Sequence, residues 1–154
     1  MSDPYLDLRN MALGTTRASL EIAQPWPASE PWGVLMDIGY GDASVTVVAF
    51  ADGNASVYLS NGGGFIGGFG HESVRSAAIA VVREAGRHLK ALKPATTHAI
   101  PGDGDTAFHV LTDAGVLTAV APEQDLGEER HPLSPLFHAG QRVITEYRLI
   151  QEAG

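Results

Sequence analysis

Residues 44–51 (SVTVVAFA) carry apolar side chains on both faces of an extended chain. Such a strand belongs between two covering layers, because one-sided burial would leave a row of apolar groups in water. It is expected in the interior of a sheet. Just before it, Val34, Met36, Ile38 and Tyr40 alternate with Gly33, Leu35, Asp37 and Gly39, the period-2 signature of a strand. Residues 40–43 supply the turn between the two. Asp52-Gly53 then reads as a two-residue type I′ hairpin turn, which needs positive φ at both positions, and residues 55–60 return as a third strand.

Helical signals flank this meander. Ser2-Asp3-Pro4 offers a capping side chain followed by a proline whose missing N–H costs nothing in a first turn. Leu6, Leu13 and Leu20 recur every seven residues, widened by Leu8, Met11, Ala12 and Ile22, so a helix is expected over 3–23 with the leucines facing the core. Pro25, Pro27 and Pro31 around Trp26 and Trp32 forbid helix and central strand alike and make 24–32 a stiff connector, which the tryptophans pin to the core. The clearest helix spans 72–93, with Val74, Ala77, Ala78, Val81, Val82, Ala85, Leu89 and Leu92 on one face and Pro94 as its stop. Residues 96–100 suit a short edge strand. Residues 106–112 and 116–121 form a second hairpin, with Gly115 in the left-handed position of its link. A polar loop over 121–132 leads to a last helix opened by Ser134-Pro135 and striped by Leu136, Ala139, Gly140, Val143, Tyr147 and Ile150. The order α-βββ-α-(β)ββ-α defines an α+β class: one domain over residues 1–154, with a mostly antiparallel sheet of five or six strands and three helices packed on it.

Composition narrows the function classes. With no cysteine among 154 residues there is no disulfide framework, thiol nucleophile or cysteine-held cluster. A net charge of −8 argues against a nucleic-acid binder, which needs a basic face for phosphates. No apolar run reaches the roughly 18 residues of a membrane span, and the first ten residues, with Asp3 and Asp7, do not read as a signal peptide. The expected compartment is the cytoplasm, and Asn54-Ala55-Ser56 is then a chance glycosylation match. His71, His88, His98, His109, His131 and His138 show no helical metal spacing, so neither metal nor cofactor is expected.

Residues 60–70 (SNGGGFIGGFG) hold six of the 18 glycines, between a strand and a helix, where backbone N–H groups and the helix dipole can meet an anion. Gly62, Gly64 and Gly67 match G-x-G-x-x-G in form, but the preceding strand belongs to an antiparallel hairpin, and no acidic ribose-binding residue follows at the required distance. No Lys-Ser/Thr pair makes it a P-loop. A ligand-binding reading uses Asn61, Gly62, Gly63, Gly64, Phe65, Gly67, Gly68 and His71 as a loop closing over a small molecule, with Phe65, Ile66 and Phe69 as apolar contacts. The structural reading has the aromatics dock onto the sheet while glycines supply unusual dihedrals. Ordering so glycine-rich a loop costs entropy, so the core, a ligand or a partner must hold it.

His71 and Glu72 beside that loop are a possible acid/base pair, although helix-start residues are more often only that. Asp103-Gly104-Asp105-Thr106 reads as a turn before a strand, since a calcium loop would need further ligands. Asp37 is expected to face outward; were it buried, desolvation would raise its pKa. There is no Gly-x-Ser-x-Gly elbow.

Charge is unevenly placed. Residues 71–93 carry Arg75, Arg83, Arg87, Lys90 and Lys93 against Glu72 and Glu84, a net +3, leaving −11 on the remainder. Arg75, Arg83, Arg87 and Lys90 are therefore the candidate contacts for an acidic partner or a second copy of the chain. The opening helix, the Asp52-Gly53 hairpin, the helix over 72–93, the Asp113-Ala114-Gly115 hairpin and the closing helix together resemble the profilin-like fold and, within it, roadblock-type domains. The resemblance implies a non-enzymatic, dimeric scaffold that pairs through its middle helix and an adjacent strand. Two features depart from it: three strands precede the middle helix, and the connector and glycine loop are additions. The expected function is a non-catalytic interaction protein, homodimeric or bound to a protein partner; the alternative is a small-molecule or nucleotide binder using residues 61–70.

Overall fold

The computed structural model describes residues 3–153. Its elements run α1 (Pro4–Leu13), β1 (Gly33–Tyr40), β2 (Ala43–Phe50), β3 (Ala55–Leu59), β4 (Gly64–Phe65), α2 (Glu72–Gly86), β5 (Lys93–Pro94), β6 (Asp105–Thr112), β7 (Gly115–Pro122), α3 (Glu123–Gly127) and α4 (Ser134–Ala153). All strands join one antiparallel sheet in the order β4-β3-β2-β1-β6-β7-β5. The class is mixed α+β, with seven strands and four α-helices among the described residues in place of the expected five or six and three. The additions are short: β4 lies within the glycine-rich segment, α3 within the expected polar loop, and the edge strand forms at Lys93–Pro94 instead of 96–100.

The apolar run 44–51 behaves as its two-faced composition requires. β2 is paired on both sides, by β1 and β3. Register places Val34, Met36 and Ile38 on one face with Val47, Ala49, Phe108 and Val110, and there α2 and α4 bury them. The other face holds Leu35, Asp37, Thr46, Val48 and His109, beneath α1.

α1 is much shorter than expected. Asp3 caps it, accepting from the N–H groups of Tyr5 and Leu6 at 3.0 and 3.4 Å, and Ser2 lies outside the described residues. It stops at Gly14, where propensity falls, and Leu20 and Ile22 reach the main core from the extended chain that follows. Its buried face is Tyr5, Arg9 and Ala12, not the leucine series; Leu6 and Leu8 flank that face and are about 40% exposed. α2 likewise ends at Gly86 instead of continuing to Lys93. The connector crosses there, with the Glu30 carboxylate and Pro31 where a Cβ at Gly86 would sit, and a 3-10 turn at Leu89–Ala91 then buries Leu92.

The β2–β3 turn also differs from expectation. Gly53 has φ 95, but Asp52 is not in the left-handed region, so the turn is a type I turn closed by the glycine: Gly53 N–H donates to Phe50 C=O at 3.0 Å and Phe50 N–H to Asn54 C=O at 2.9 Å. Gly115, at φ 107, takes the conformation expected of it. Trp26 and Trp32 are buried, their indole N–H groups donating to Pro31 C=O (2.7 Å) and Thr15 C=O (3.2 Å), so the connector is pinned as foreseen.

The segment between β5 and β6 crosses the α1 face at Gly39, where a Cβ would lie 2.0 Å from the Gly102 carbonyl oxygen. Backbone cannot yield as a flexible side chain would. Gly39→Ala is expected to destabilise the protein by about 2 kcal/mol in urea unfolding, whereas Gly102→Ala, with open space around its Cβ, should change little.

Candidate functional site

The glycine-rich segment folds as a hairpin. Gly62 N–H donates to Leu59 C=O and Leu59 N–H to Gly63 C=O, both at 2.9 Å, and the Asn61 side chain accepts from Gly63 N–H at 3.1 Å. Asn61, Gly62 and Gly63 thus form an exposed tip. Gly64, φ 150, passes so near β3 that a Cβ would meet the Val57 carbonyl oxygen at 2.1 Å. Beyond it, Gly64, Phe65, Gly67, Gly68 and His71 come together with Tyr147 and Ile150 of α4 around a cleft of about 350 Å³. Of the eight candidate ligand contacts, five wall this cleft and three do not.

Tyr147 organises the cleft. Its hydroxyl accepts from Gly68 N–H at 2.9 Å and donates to Ala55 C=O, and its ring stacks on Phe65 with centroids 5.4 Å apart. Burial pushes the phenol pKa above its ordinary value. Gly68 is buried against this ring, and a Cβ there would fall 2.5 Å from the hydroxyl. The core therefore orders the loop, while Ile66 (74% exposed) and Phe69 (48%) stay at the surface. His71 precedes the first turn of α2, exposed and without a side-chain capping bond. The sequence marks Tyr147 as one position in an apolar stripe; that its hydroxyl reaches a loop 79 residues away has no local signal.

The candidate cations on and after α2 already have neighbours. Arg75 donates to Phe69 C=O at 2.6 Å and lies over the Phe69 ring. Arg83 stacks its guanidinium 4.6 Å from the Trp26 ring centre, and Arg87 pairs with Glu84 at 2.6 Å. Arg83 and Arg87 share a shallow cleft of about 200 Å³ with Trp26, Pro27 and Glu30, and Lys90 is exposed in the 3-10 turn beyond.

The densest chemistry lies under α1, where Asp37 is fully buried and not outward-facing. Arg9 donates to its carboxylate through Nη2 at 2.7 Å and Nε at 3.1 Å, Thr46 at 2.5 Å, and His109 Nε2 lies 3.2 Å away. An ionised carboxylate only accepts, so the His109 proton sits on Nε2, and Nδ1 takes the Thr118 hydroxyl at 3.0 Å. Ser44 donates to Tyr5 and Tyr5 to Thr46, completing a relay of hydroxyls that ends on Asp37. Arg9 also reaches His98 C=O at 2.6 Å. Burial alone would raise the Asp37 pKa; the hydrogen bonds from His109, Arg9 and Thr46 and the charge of Arg9 outweigh it and hold the carboxyl below its ordinary value. Burial, then the neighbouring His109, lowers His98. Asp37 lines none of the principal clefts among the described residues, and through Arg9 it ties α1 to the sheet.

Asp103 accepts from Gly41 N–H at 2.7 Å and Gly104 takes φ 83, so this acidic pair belongs to a turn, as expected. No helix among the described residues is long and apolar enough to cross a membrane. The chain matches no protein-family model, no curated protein and no solved structure.

Removing Arg9 leaves a buried carboxylate without its cation. Arg9→Ala is expected to cost about 3 kcal/mol at neutral pH, read by chemical denaturation, with loss of hydrogen-exchange protection across α1. A carboxyl whose folded pKa lies below its unfolded value stabilises the fold above the unfolded value, near 3.8, and that contribution disappears as pH falls through the folded pKa. The stability gap between the wild type and Asp37→Asn should therefore be constant from pH 5 to 7 and shrink below about 4. A gap that widens on acidification would contradict the assignment.

Proposed function

We propose that the protein is a non-catalytic cytoplasmic interaction module, of roadblock-like type, that self-associates through the solvent face of α2. The observation that carries this reading is the composition of that face. Ser73, Ser76 and Ala80 are exposed and small, with Glu72 at the amino end and Arg83 and Arg87 at the carboxyl end. Small residues let a second helix approach closely, and an antiparallel pair about a two-fold axis near Ala80 sets Arg87 beside Glu72 of the second copy, twice. The stacking of Arg83 on Trp26 and the pairing of Arg87 with Glu84 hold these side chains in place beforehand, which lowers the entropy lost on association. The resemblance to roadblock-type domains implies pairing through the middle helix as well.

A small-molecule site at residues 61–70 is the second reading, favoured by the cleft beside Tyr147. A nucleotide fits it less well, since Glu72 occupies the first turn of α2, where a phosphate would bind.

Light scattering at micromolar concentration should give a dimer. Arg83→Glu with Arg87→Glu should weaken it about tenfold or more, and adding Glu72→Arg should restore it, because the reversed charges face each other again. A monomer at every concentration, or a dimer indifferent to the reversal, would refute the proposed face.

A further inference from the structure

A cleft of about 540 Å³ lies at the amino end of α4, lined by Glu129, His131, Pro132, Ser134, Pro135 and His138. It involves none of the α2 residues invoked above. Ser134 is the one buried residue among the six, 3% exposed. Its hydroxyl has no hydrogen-bond partner. A buried polar group left unpaired is costly, so such an atom at a cleft points to something that completes it.

The neighbouring groups give the chemistry. His131 Nδ1 accepts from Leu133 N–H at 3.0 Å, which places the ring proton of the neutral imidazole on Nε2 as a donor. α4 runs for 20 residues and turns the positive end of its dipole toward the same place. Hydroxyl, imidazole N–H and helix terminus are all suited to an acceptor with negative charge. The cleft's own carboxylate, Glu129, lies 3.9 Å from His138 Nε2, so a basic ring stands beside the one group that would repel such a ligand.

We propose that this cleft binds a small oxyanion, a phosphate or carboxylate group, on Ser134 and His131 at the amino end of α4. The test is an amide-shift NMR titration of the full chain with inorganic phosphate and, separately, with acetate. Saturable shifts confined to residues 129–138 with either anion are expected; a response to phosphate alone assigns the group as phosphate, and a response to acetate alone as carboxylate. Ser134→Ala should weaken binding about tenfold while leaving the melting temperature equal or higher, since it removes an unpaired buried hydroxyl. Glu129→Gln should tighten binding several-fold. A purely structural Ser134 predicts unchanged affinity in Ser134→Ala. That result, no saturation by either anion, or shifts mapping instead to the basic residues between 83 and 93 would overturn the proposal.

Discussion

The buried carboxylate of Asp37 is the constraint around which one whole face of this protein is built. An unpaired charge at the centre of a sheet would cost several kcal/mol, so it must be met by a cation and by hydrogen-bond donors from elements that can reach it. Thr46 arrives from the neighbouring strand, His109 from the strand on the other side, and Arg9 from a helix that must lie across all three. The position of α1 follows from that requirement more than from apolar contact. Among the described residues the apolar cluster on this face has three buried members, Ala12 of α1 with Leu35 and Val48 of the sheet, whereas the opposite face carries the extended core under α2 and α4.

This asymmetry divides the molecule into a polar latch on one side of the sheet and a conventional apolar core on the other. It also explains why the leucines of α1 are not its buried series. Orienting the helix to put Arg9 over Asp37 brings Tyr5 and Ala12 onto the sheet and leaves Leu6, Leu8 and Met11 partly in solvent. On the other side, Tyr147 does for the glycine-rich segment what Arg9 does for α1: one polar group from a helix secures a distant piece of backbone, here through Gly68 and Ala55. Both contacts are long-range, and both restrict elements whose own sequences hold them weakly.

The two surfaces proposed as functional lie outside these fastenings. The solvent face of α2 is rigid because its other face is fully committed to the core, and its cations are steadied by the connector and by Glu84. The cleft at α4 lies where the acidic segment after α3 meets a helix start, and its central hydroxyl is unused by the fold. A module with both would couple an association surface to a small-ligand site without shared residues.

What the sequence determined by itself was local. Period-2 alternation, two-faced apolarity at 44–51, the glycine at each tight turn and the stripes of α2 and α4 place the strands, the antiparallel meander and the main core, because each depends on residues within a few positions of one another. The candidate cleft at 64–71 was legible as a glycine-rich strand-to-helix link, and the basic bias of α2 as a charge count. Tertiary structure decided which face α1 buries, that α2 stops when the connector crosses Gly86, that Asp37 is buried with a depressed pKa, and that Ser134 stands unpaired at a cleft. Arg9 and His109 reach Asp37 from 28 and 72 residues away, Glu30 and Pro31 meet Gly86 from a separate segment, and Ser134 is set by the geometry of a cavity. The free energy of a buried charge or of an unpaired hydroxyl belongs to its three-dimensional surroundings, which no local pattern encodes.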